Sequence, residues 1–435
     1  MAKAHPAPRT LSDFKSETLR GTAGFVRVGQ TRAGQWWFID AHDRPFFSRG
    51  VAAVNRFGRA GGRGTQPGAY ERAVDRIHGA NDPQSFVTAA TKRLRAWHCN
   101  TLAAWTAPEF FDRGFFYTET IGFRQAVPEA MIKLGGALLP DVFDPRWVAG
   151  CDLLAAAICP LRRERPDLIG YFTDHGLQWA QPRTGPDAPR KQRPSLLQIC
   201  LSLEPSFPAY HAAWEFALAP HAGELATLAA AWGIEPNKQA LRQLTLADTP
   251  LLSAAYLGDH ERFTREFARR YVEVCAAAVR RHDPDHLVLG CPFDAPPGAA
   301  VLGAFAAPAV DVLSLHCATE TVFETIDDFA RLNAMPVLLA EFSWTGKAFT
   351  KKQTQERRQL TSVERMLSSA RAALTRACTH PALVGYVWSR WADAPDDTPP
   401  FGQGLVHLDD HEAREHTELL TEINTHAEAV RRGAV

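Results

Sequence analysis

The feature that most limits the fold of this chain is a regular alternation of short apolar runs with longer stretches of helical spacing. The apolar runs have the length and composition of buried strands. Strands that alternate with helices form parallel sheets, because a crossover helix returns the chain to the same edge. The pattern predicts an α/β fold, a (β/α)8 TIM barrel, with strands in residues 46–54, 100–105, 123–130, 167–174, 287–293, 310–318, 336–344 and 383–393.

Two segments depart from this rhythm. Before the first run, apolar and polar residues alternate around a turn at Gly34, which predicts an N-terminal β-hairpin capping the bottom of the barrel. After the fourth run, the rhythm is lost over residues 178–258, which we interpret as an insertion above the rim. We therefore expect an N-terminal extension over residues 1–23 and a single catalytic-type domain over residues 24–435.

Charge and hydropathy exclude several classes of partner. Lysine plus arginine and aspartate plus glutamate number 48 each, so no net positive field favours nucleic acid or anionic lipid. The sequence contains neither a membrane-spanning apolar stretch nor a signal-peptide core, so we expect a cytoplasmic protein with a neutral partner. The eight cysteines form no Cys-x-x-Cys pair, and no zinc-type histidine spacing accompanies them. We predict buried thiols, no metal and no cofactor; the oligomeric state is left open.

Polar residues that close the apolar runs are the candidates for chemistry, because barrel enzymes carry their working groups at the carboxyl ends of the strands. Glu341 is the strongest candidate, since it follows "MPVLLA" and precedes the aromatic "FSW". Aromatic faces beside a carboxylate suit a sugar ring, so the rim predicts a saccharide-binding cleft. Asp174 and His175 close the fourth run. The candidate substrate-binding residues are Asn55, Trp105, His316, Trp344, Trp388 and Arg390.

Several segments carry a family resemblance. "WWFIDAHDRPFFSRGV", "RPDLIGYFTD", "PVLLAEFSW" and "GYVWSRWADAP" resemble the β-agarases of glycoside hydrolase family fifty and, more distantly, the β-galactosidases of family forty-two. The resemblance covers most of residues 24–415. It implies a retaining enzyme whose nucleophile ends the seventh strand, at Glu341, and whose proton donor ends the fourth strand, at Gly176. The nucleophile is present, whereas glycine stands in the place of the donor glutamate.

The resemblance leaves several substitutes open for the missing acid. Asp174 precedes Gly176 by two residues and lies roughly 6.6 Å deeper along the strand, a poor match for the lost carboxyl. His175 is at the right depth if its ring turns inward. A carboxyl from the insertion or just beyond it is the third possibility, with Glu204, Glu215 and Glu261 as candidates.

Two functions follow from these residues. The first is a retaining glycoside hydrolase that acts on a β-galactoside or agar-type oligosaccharide or on a small glycoside, with Glu341 as nucleophile and an atypical or relocated acid/base. The alternative is a catalytically reduced barrel that binds saccharide without cleaving it. A titratable side chain within about 6 Å of Glu341, on the side of Gly176, would favour the enzyme.

Overall fold

Eight parallel strands form the centre of the protein. The computed structural model describes residues 10–59, 64, 66–179, 193–293, 297–316, 322–344, 363–397 and 402–433. In sheet order the strands are β10 (Leu287–Val288), β9 (Leu168–Phe172), β6 (Phe116–Thr120), β5 (Thr101–Leu102), β4 (Ser48–Val51), β13 (Leu383–Trp388), β12 (Val337–Phe342) and β11 (Leu313–His316).

The two edges of this sheet meet. Just beyond β10, Phe293 forms a parallel bridge with Leu315 of β11, and the Phe293 N–H donates to the Ser314 carbonyl at 3.1 Å. The predicted (β/α)8 barrel is confirmed. Its outer layer includes α1 (Ala69–His78), α2 (Pro83–Ala96), α3 (Pro145–Ile158), α8 (Ala254–His282), α9 (Ala299–Ala304), α10 (Val322–Asn333), α11 (Val363–Thr379) and α12 (Arg414–Arg431).

The third barrel strand is not where the sequence predicted it. It is β6, whereas residues 123–130 contain two short 3-10 turns, Phe123–Gln125 and Pro128–Ala130. The strand was missed because its sequence, "FYTET", is largely polar, and Glu119 is held by Arg162 at 2.9 Å. The apolar residues of the predicted run pack against α3 instead; the Phe123 carbonyl, for example, accepts the Trp147 indole N–H at 2.8 Å.

A small antiparallel sheet closes the amino end of the barrel, as the sequence predicted. It consists of β1 (Arg27–Gln30), β2 (Trp36–Ile39) and β3 (Pro45–Phe46). Its apolar side chains join the residues that fill the barrel interior, so the hairpin forms the floor below the candidate site. This cluster contains Val28, Trp36, Phe38 and Phe46 from the cap and Ile169, Phe172, Leu338 and Ala340 from the barrel.

In the described part of the segment predicted as an insertion, four α-helices lie between β9 and α8. They are α4 (Leu196–Leu201), α5 (Pro208–Leu218), α6 (Leu225–Trp232) and α7 (Lys238–Leu246), and three of them pack against α8. A further short antiparallel pair, β7 (Met131–Ile132) and β8 (Leu139–Pro140), precedes α3. The predicted boundaries at residues 23, 178 and 258 stay predictions. Among the described residues, no helix is long and apolar enough to cross a membrane.

Candidate active site

Three side chains from different parts of the sequence meet at the carboxyl end of the barrel: His175, His316 and Glu341. Their potential ligand atoms all lie within 4.8 Å of one another. His175 Nε2 lies 2.9 Å from Glu341 Oε1, so an imidazole N–H can donate to the carboxylate. The side chains of His175 and Glu341 are 22% and 21% exposed, so the pair is open to small solutes. We call these three residues the mouth cluster.

The barrel register explains why the mouth cluster forms. His316 ends β11 and pairs in register with Glu341 of β12, after a shift in the ladder between Leu315 and His316. His175 follows β9, where the chain has left the regular strand, and reaches the same rim. The cluster therefore combines two fixed strand positions with one residue from a turn.

Trp105 completes this group from the end of the second barrel strand. Its ring centroid is 4.0 Å from that of His175, whose other ring neighbour, His316, is 4.2 Å away. Trp105 has a left-handed backbone with φ of 61°. Asn55 supports this conformation by donating its side-chain amide to the Trp105 carbonyl at 3.0 Å. Asn55 is only 2% exposed, so it acts as a backbone anchor rather than the predicted sugar contact.

Asp174 faces the other way, and its predicted catalytic role does not fit this geometry. The Tyr271 hydroxyl donates to Asp174 at 2.6 Å, and the Arg124 backbone N–H donates to both carboxylate oxygens at 2.9 and 3.0 Å. The residue is 2% exposed. Burial raises the pKa of Asp174 to about 7, against the opposing effect of these hydrogen bonds. Asp174 is a buried structural carboxyl between β9 and α8.

Gly176 occupies a position where glycine is favoured by the backbone. Its φ is 64°, in the left-handed region that L-residues with a side chain adopt with strain. Its carbonyl accepts the Arg124 guanidinium at 3.3 Å, which holds the turn. A glutamate at residue 176 would be strained in this conformation. The conformation of the turn therefore favours glycine at residue 176 over the donor glutamate that the resemblance implies.

The two predicted aromatic walls are buried. Trp344 and Trp388 are 3% and 1% exposed, and their rings meet edge to face at 4.4 Å. The Trp344 N–H donates to His416 Nδ1 at 3.0 Å, and the Trp388 N–H donates to the Gln403 carbonyl at 2.9 Å. Burial lowers the pKa of His416, which suits an accepting neutral ring. Neither indole offers a face to solvent, so we revise the expected sugar-stacking side chain to Trp105, which is half-buried.

Two of the three carboxyls proposed from the insertion or just beyond it pair with nearby arginines. Glu204 pairs with Arg242 of α7, and Glu261 pairs with Arg265 at 3.4 Å along α8. Glu215 is exposed on α5. By contrast, Arg390 sits at the rim with 37% of its side chain exposed, and its ion-pair partner among the described residues is Asp397, at a loose 3.7 Å. Arg390 keeps its place as a candidate saccharide contact.

A cavity of about 320 Å³ adjoins Trp105 and was not predicted. Its wall combines the loop after β4, the start of α2 and the segment after β5, which are far apart in sequence. Apolar groups dominate, so it suits a hydrophobic portion of a ligand better than a hydroxyl-rich ring. The lining includes Phe57, Pro83, Phe86, Val87, Pro108 and Phe110 beside Asn55 and Trp105.

The relatives found by sequence are agarases. No family model matches the chain. β-Agarase A of Vibrio sp. (strain JT0107) is 23% identical over 337 residues, which are 73% of this chain and 33% of that protein. β-Agarase B of the same strain is 22% identical over 336 residues, or 73% of this chain and 34% of that protein. The chain thus spans about a third of the length of the curated relatives it matches.

Solved structures show the same relationship in the fold. PfGH50B superposes with a TM-score of 0.73 at 16% identity, covering 98% of this chain and 70% of that one. The agarase AgWH50C superposes with a TM-score of 0.72 at 18% identity, covering 98% of this chain and 68% of that one. This chain is similar to the β-agarases of glycoside hydrolase family fifty. The more distant likeness is a β-galactosidase from the psychrophilic Marinomonas ef1, at a TM-score of 0.51 and 14% identity over 81% of this chain and 58% of that one.

Proposed function

We propose that this protein is a retaining glycoside hydrolase that acts on a β-galactoside or agar-type oligosaccharide or on a small β-glycoside. The observation that carries the proposal is the contact of 2.9 Å between Glu341 and His175 at the barrel mouth. It pairs a carboxylate with an imidazole, a group that can both donate and accept a proton. The agarase relatives and the fold support the same class of reaction.

Glu341 is the nucleophile in this proposal. Its carboxylate oxygen attacks the anomeric carbon, the glycosidic C–O bond breaks, and a covalent glycosyl-enzyme forms. Its place on β12, anchored by the buried Leu338 and Ala340 of the barrel interior, fixes its position relative to the rim. Water then attacks the same carbon and releases the carboxylate, so two inversions give net retention.

His175 is the proton donor and, in the second step, the base. The imidazolium gives its proton to the departing oxygen, and the neutral ring later takes a proton from the attacking water. The ring is held between Trp105 and His316, at centroid distances of 4.0 and 4.2 Å. Trp105 also supplies the aromatic face for a sugar ring. Asp174 is hydrogen-bonded to Tyr271, and Glu204 and Glu261 pair with arginines, so the proposal assigns the proton donor to His175, the residue that precedes Gly176.

The same contact favours a second function. Retaining enzymes hold their two catalytic groups about 5 to 5.5 Å apart, with the anomeric centre between them. At 2.9 Å, His175 and Glu341 leave no such gap, and the ring must swing aside when substrate enters. A protein in which His175 stays on Glu341 would bind saccharide without cleaving it. The two functions therefore differ in whether the imidazole moves.

The experiment compares leaving groups. Hydrolysis of 2,4-dinitrophenyl, 4-nitrophenyl and methyl β-galactosides is measured for the wild type, His175→Ala and the surface control Glu261→Gln. A lost acid affects only substrates whose leaving group needs a proton, so His175→Ala should lose about 10²- to 10⁴-fold on methyl galactoside and much less on the dinitrophenyl substrate. Glu261→Gln should match the wild type on all three.

Azide provides the complementary test. In His175→Ala, azide should accelerate turnover of the dinitrophenyl substrate and yield β-galactosyl azide, because an anion needs no general base. The wild type should show no rescue. Rescue of the wild type would show that His175 is not the acid. Measurable saccharide binding, with complete inertness toward the activated substrates, would establish the binding protein instead.

A further inference from the structure

We propose that His175, His316 and Glu341 also form a binding site for one divalent transition-metal ion of the zinc class. The sequence predicted no metal site because the three residues lie far apart in the chain and match no ligand spacing. The fold nevertheless brings two imidazoles and one carboxylate together, with all ligand atoms within 4.8 Å. Two histidines and a glutamate are a donor set that zinc uses when one position stays open.

The distances suit a small ion. Zinc binds imidazole nitrogen at about 2.0–2.1 Å and carboxylate oxygen at about 2.0–2.2 Å, so tetrahedral ligand atoms lie roughly 3.3 Å apart. His175 Nε2 and Glu341 Oε1 are already 2.9 Å apart. The ligand atoms of His316 lie within 4.8 Å of these two, so a shift of the ring towards them completes the set. The exposed fifth of the His175 and Glu341 side chains leaves a path for the ion and for a bound water.

The site is also held in place before any ion binds. His316 and Glu341 are paired residues of neighbouring barrel strands, and in the absence of substrate the His175 ring packs against Trp105 and His316. Preorganised ligands lose little conformational freedom on binding, which raises affinity. Imidazole donors favour zinc, copper, nickel and cobalt over magnesium and calcium, which prefer oxygen ligands. The expected selectivity is therefore for the first group.

Occupancy would have a chemical consequence. A Glu341 carboxylate bound to the ion cannot attack an anomeric carbon, and a His175 Nε2 bound to the ion cannot carry a proton. The ion is thus a reversible inhibitor of hydrolysis. This consequence rests on the proposed function, whereas binding of the ion does not.

The test begins with binding alone. Isothermal titration with ZnCl₂, and with MgCl₂ as the oxygen-preferring comparison, is made on the full chain without substrate. Cobalt(II) is added separately, because its visible spectrum reports a tetrahedral nitrogen and oxygen site. The wild type should bind one zinc ion per chain, with no measurable magnesium binding and an intense cobalt band.

Variants locate the ion. His316→Ala, His175→Ala and Glu341→Gln should each weaken zinc binding by at least about tenfold, the lower end of the loss typical even for residues that merely support metal ligands. His411→Ala is the matched control, because His411 is a surface histidine 3.2 Å from the carboxylate of Asp409. It should retain the wild-type affinity. Thermal unfolding verifies that each variant is folded, and His316→Gln replaces His316→Ala if the latter fails.

The outcomes separate the two proposals. Zinc binding that survives in all three cluster variants, or is lost in His411→Ala alone, overturns the site. Binding by the cluster with no hydrolysis of any glycoside leaves the metal site standing and removes the proposed function. Hydrolysis that continues unchanged with the site saturated by zinc, when the three variants have located the ion in the cluster, would show that Glu341 and His175 are not the catalytic pair; this removes the proposed function and leaves the metal site standing.

Discussion

Two histidine–carboxylate pairs in this protein have nearly the same geometry and very different surroundings. In the mouth cluster, His175 Nε2 lies 2.9 Å from Glu341; elsewhere, His78 Nε2 lies 3.1 Å from Asp410. The Asp410 side chain is 1% exposed, whereas that of Glu341 is 21% exposed. The Tyr70 hydroxyl and the Arg93 guanidinium both donate to Asp410, each at 2.9 Å.

The difference shows that a histidine–carboxylate pair is not by itself a sign of a reactive site. The carboxylate must also be accessible and have oxygens that are free to accept from a ligand. Asp410 receives three side-chain donors, and the Trp391 N–H donates in turn to Tyr70 at 2.7 Å. Burial raises the pKa of Tyr70 well above its usual range, so it stays a hydroxyl donor. A buried and fully hydrogen-bonded network of this kind stabilises one arrangement of loops and helices. Glu341 retains an accessible carboxylate and can meet a ligand.

The largest effect is expected from Glu341→Gln. Removing a nucleophile costs about 10³- to 10⁶-fold in kcat by analogy with other covalent enzymes, because the covalent route is lost. The free energy of unfolding should stay the same or rise slightly, since an accessible carboxylate contributes little to packing. Turnover of 4-nitrophenyl β-galactoside and urea unfolding of the same samples measure both quantities. A large loss of stability would make Glu341 a structural residue like Asp410.

Asp410→Ala should give the opposite pattern. The change leaves the Arg93 guanidinium and the Tyr70 hydroxyl without their shared acceptor, and breaking a buried charged pair costs about 3–5 kcal/mol. The folded fraction should keep its kcat, because Asp410 and its partners lie outside the mouth cluster. Urea unfolding and turnover corrected for folded protein provide the measurement. If kcat falls while stability is retained, the two pairs are functionally linked.

Asp174 supplies a third carboxyl, buried like Asp410 but hydrogen-bonded to a hydroxyl and a backbone N–H instead of a guanidinium. Its pKa in the folded protein is raised to about 7 from the usual 3.8, so the folded state retains the proton over that interval. The contribution of this protonated carboxyl to the free energy of unfolding is fully present below about pH 4 and is lost as the pH rises towards 7.

Asp174→Asn tests this effect, because an amide stays neutral and can still accept from Arg124. The wild type should lose on the order of 2–4 kcal/mol more than the variant between pH 4.5 and 7.5, since one pKa unit corresponds to about 1.4 kcal/mol. Urea unfolding at several pH values measures the difference. Parallel curves for the two proteins would show that Asp174 is charged in the folded state.

The smallest effect separates the two kinds of tryptophan. Trp105→Leu removes a half-buried ring beside His175, so KM for a β-galactoside should rise about tenfold, the equivalent of about 1.4 kcal/mol of lost stacking. Trp344→Leu removes a buried ring that packs on Trp388, and should lower stability with little change in KM. A rise in KM for Trp344→Leu would restore it as a sugar contact.

The barrel was predictable because most of its strands are buried on both faces and therefore appear as apolar runs. β6 was not, because Thr118, Glu119 and Thr120 give it a polar sequence. The apolar stripe of α8, which includes Tyr271, is also visible in the sequence. The hydrogen bond from Tyr271 to Asp174 could not be predicted, because it depends on how α8 packs against β9. The periodicity of the sequence does not contain that information.

The candidate site was predicted as single residues but not as an arrangement. Each member of the mouth cluster ends an apolar run, which made it visible. Strand alternation stops at Phe172, so no sequence rule says which of Asp174 and His175 turns inward. Trp344 looked like a rim residue because the sequence before it is a strand. The side chain that covers it, His416, comes from the last helix.

The last helix, α12, also connects the end of the chain to the N-terminal cap through Arg431, and this connection bears on the order of events during translation. Arg431 is 1% exposed, and it donates to the carbonyls of Cys378, His380 and Trp36 while its guanidinium lies 4.8 Å from the Trp37 ring centre. Burial lowers the pKa of Arg431 to about 9. During synthesis, the cap hairpin is translated almost 400 residues before Arg431, which donates to the Trp36 carbonyl of that hairpin. The contacts of Arg431 with the cap can therefore form only after almost all of the barrel has been translated.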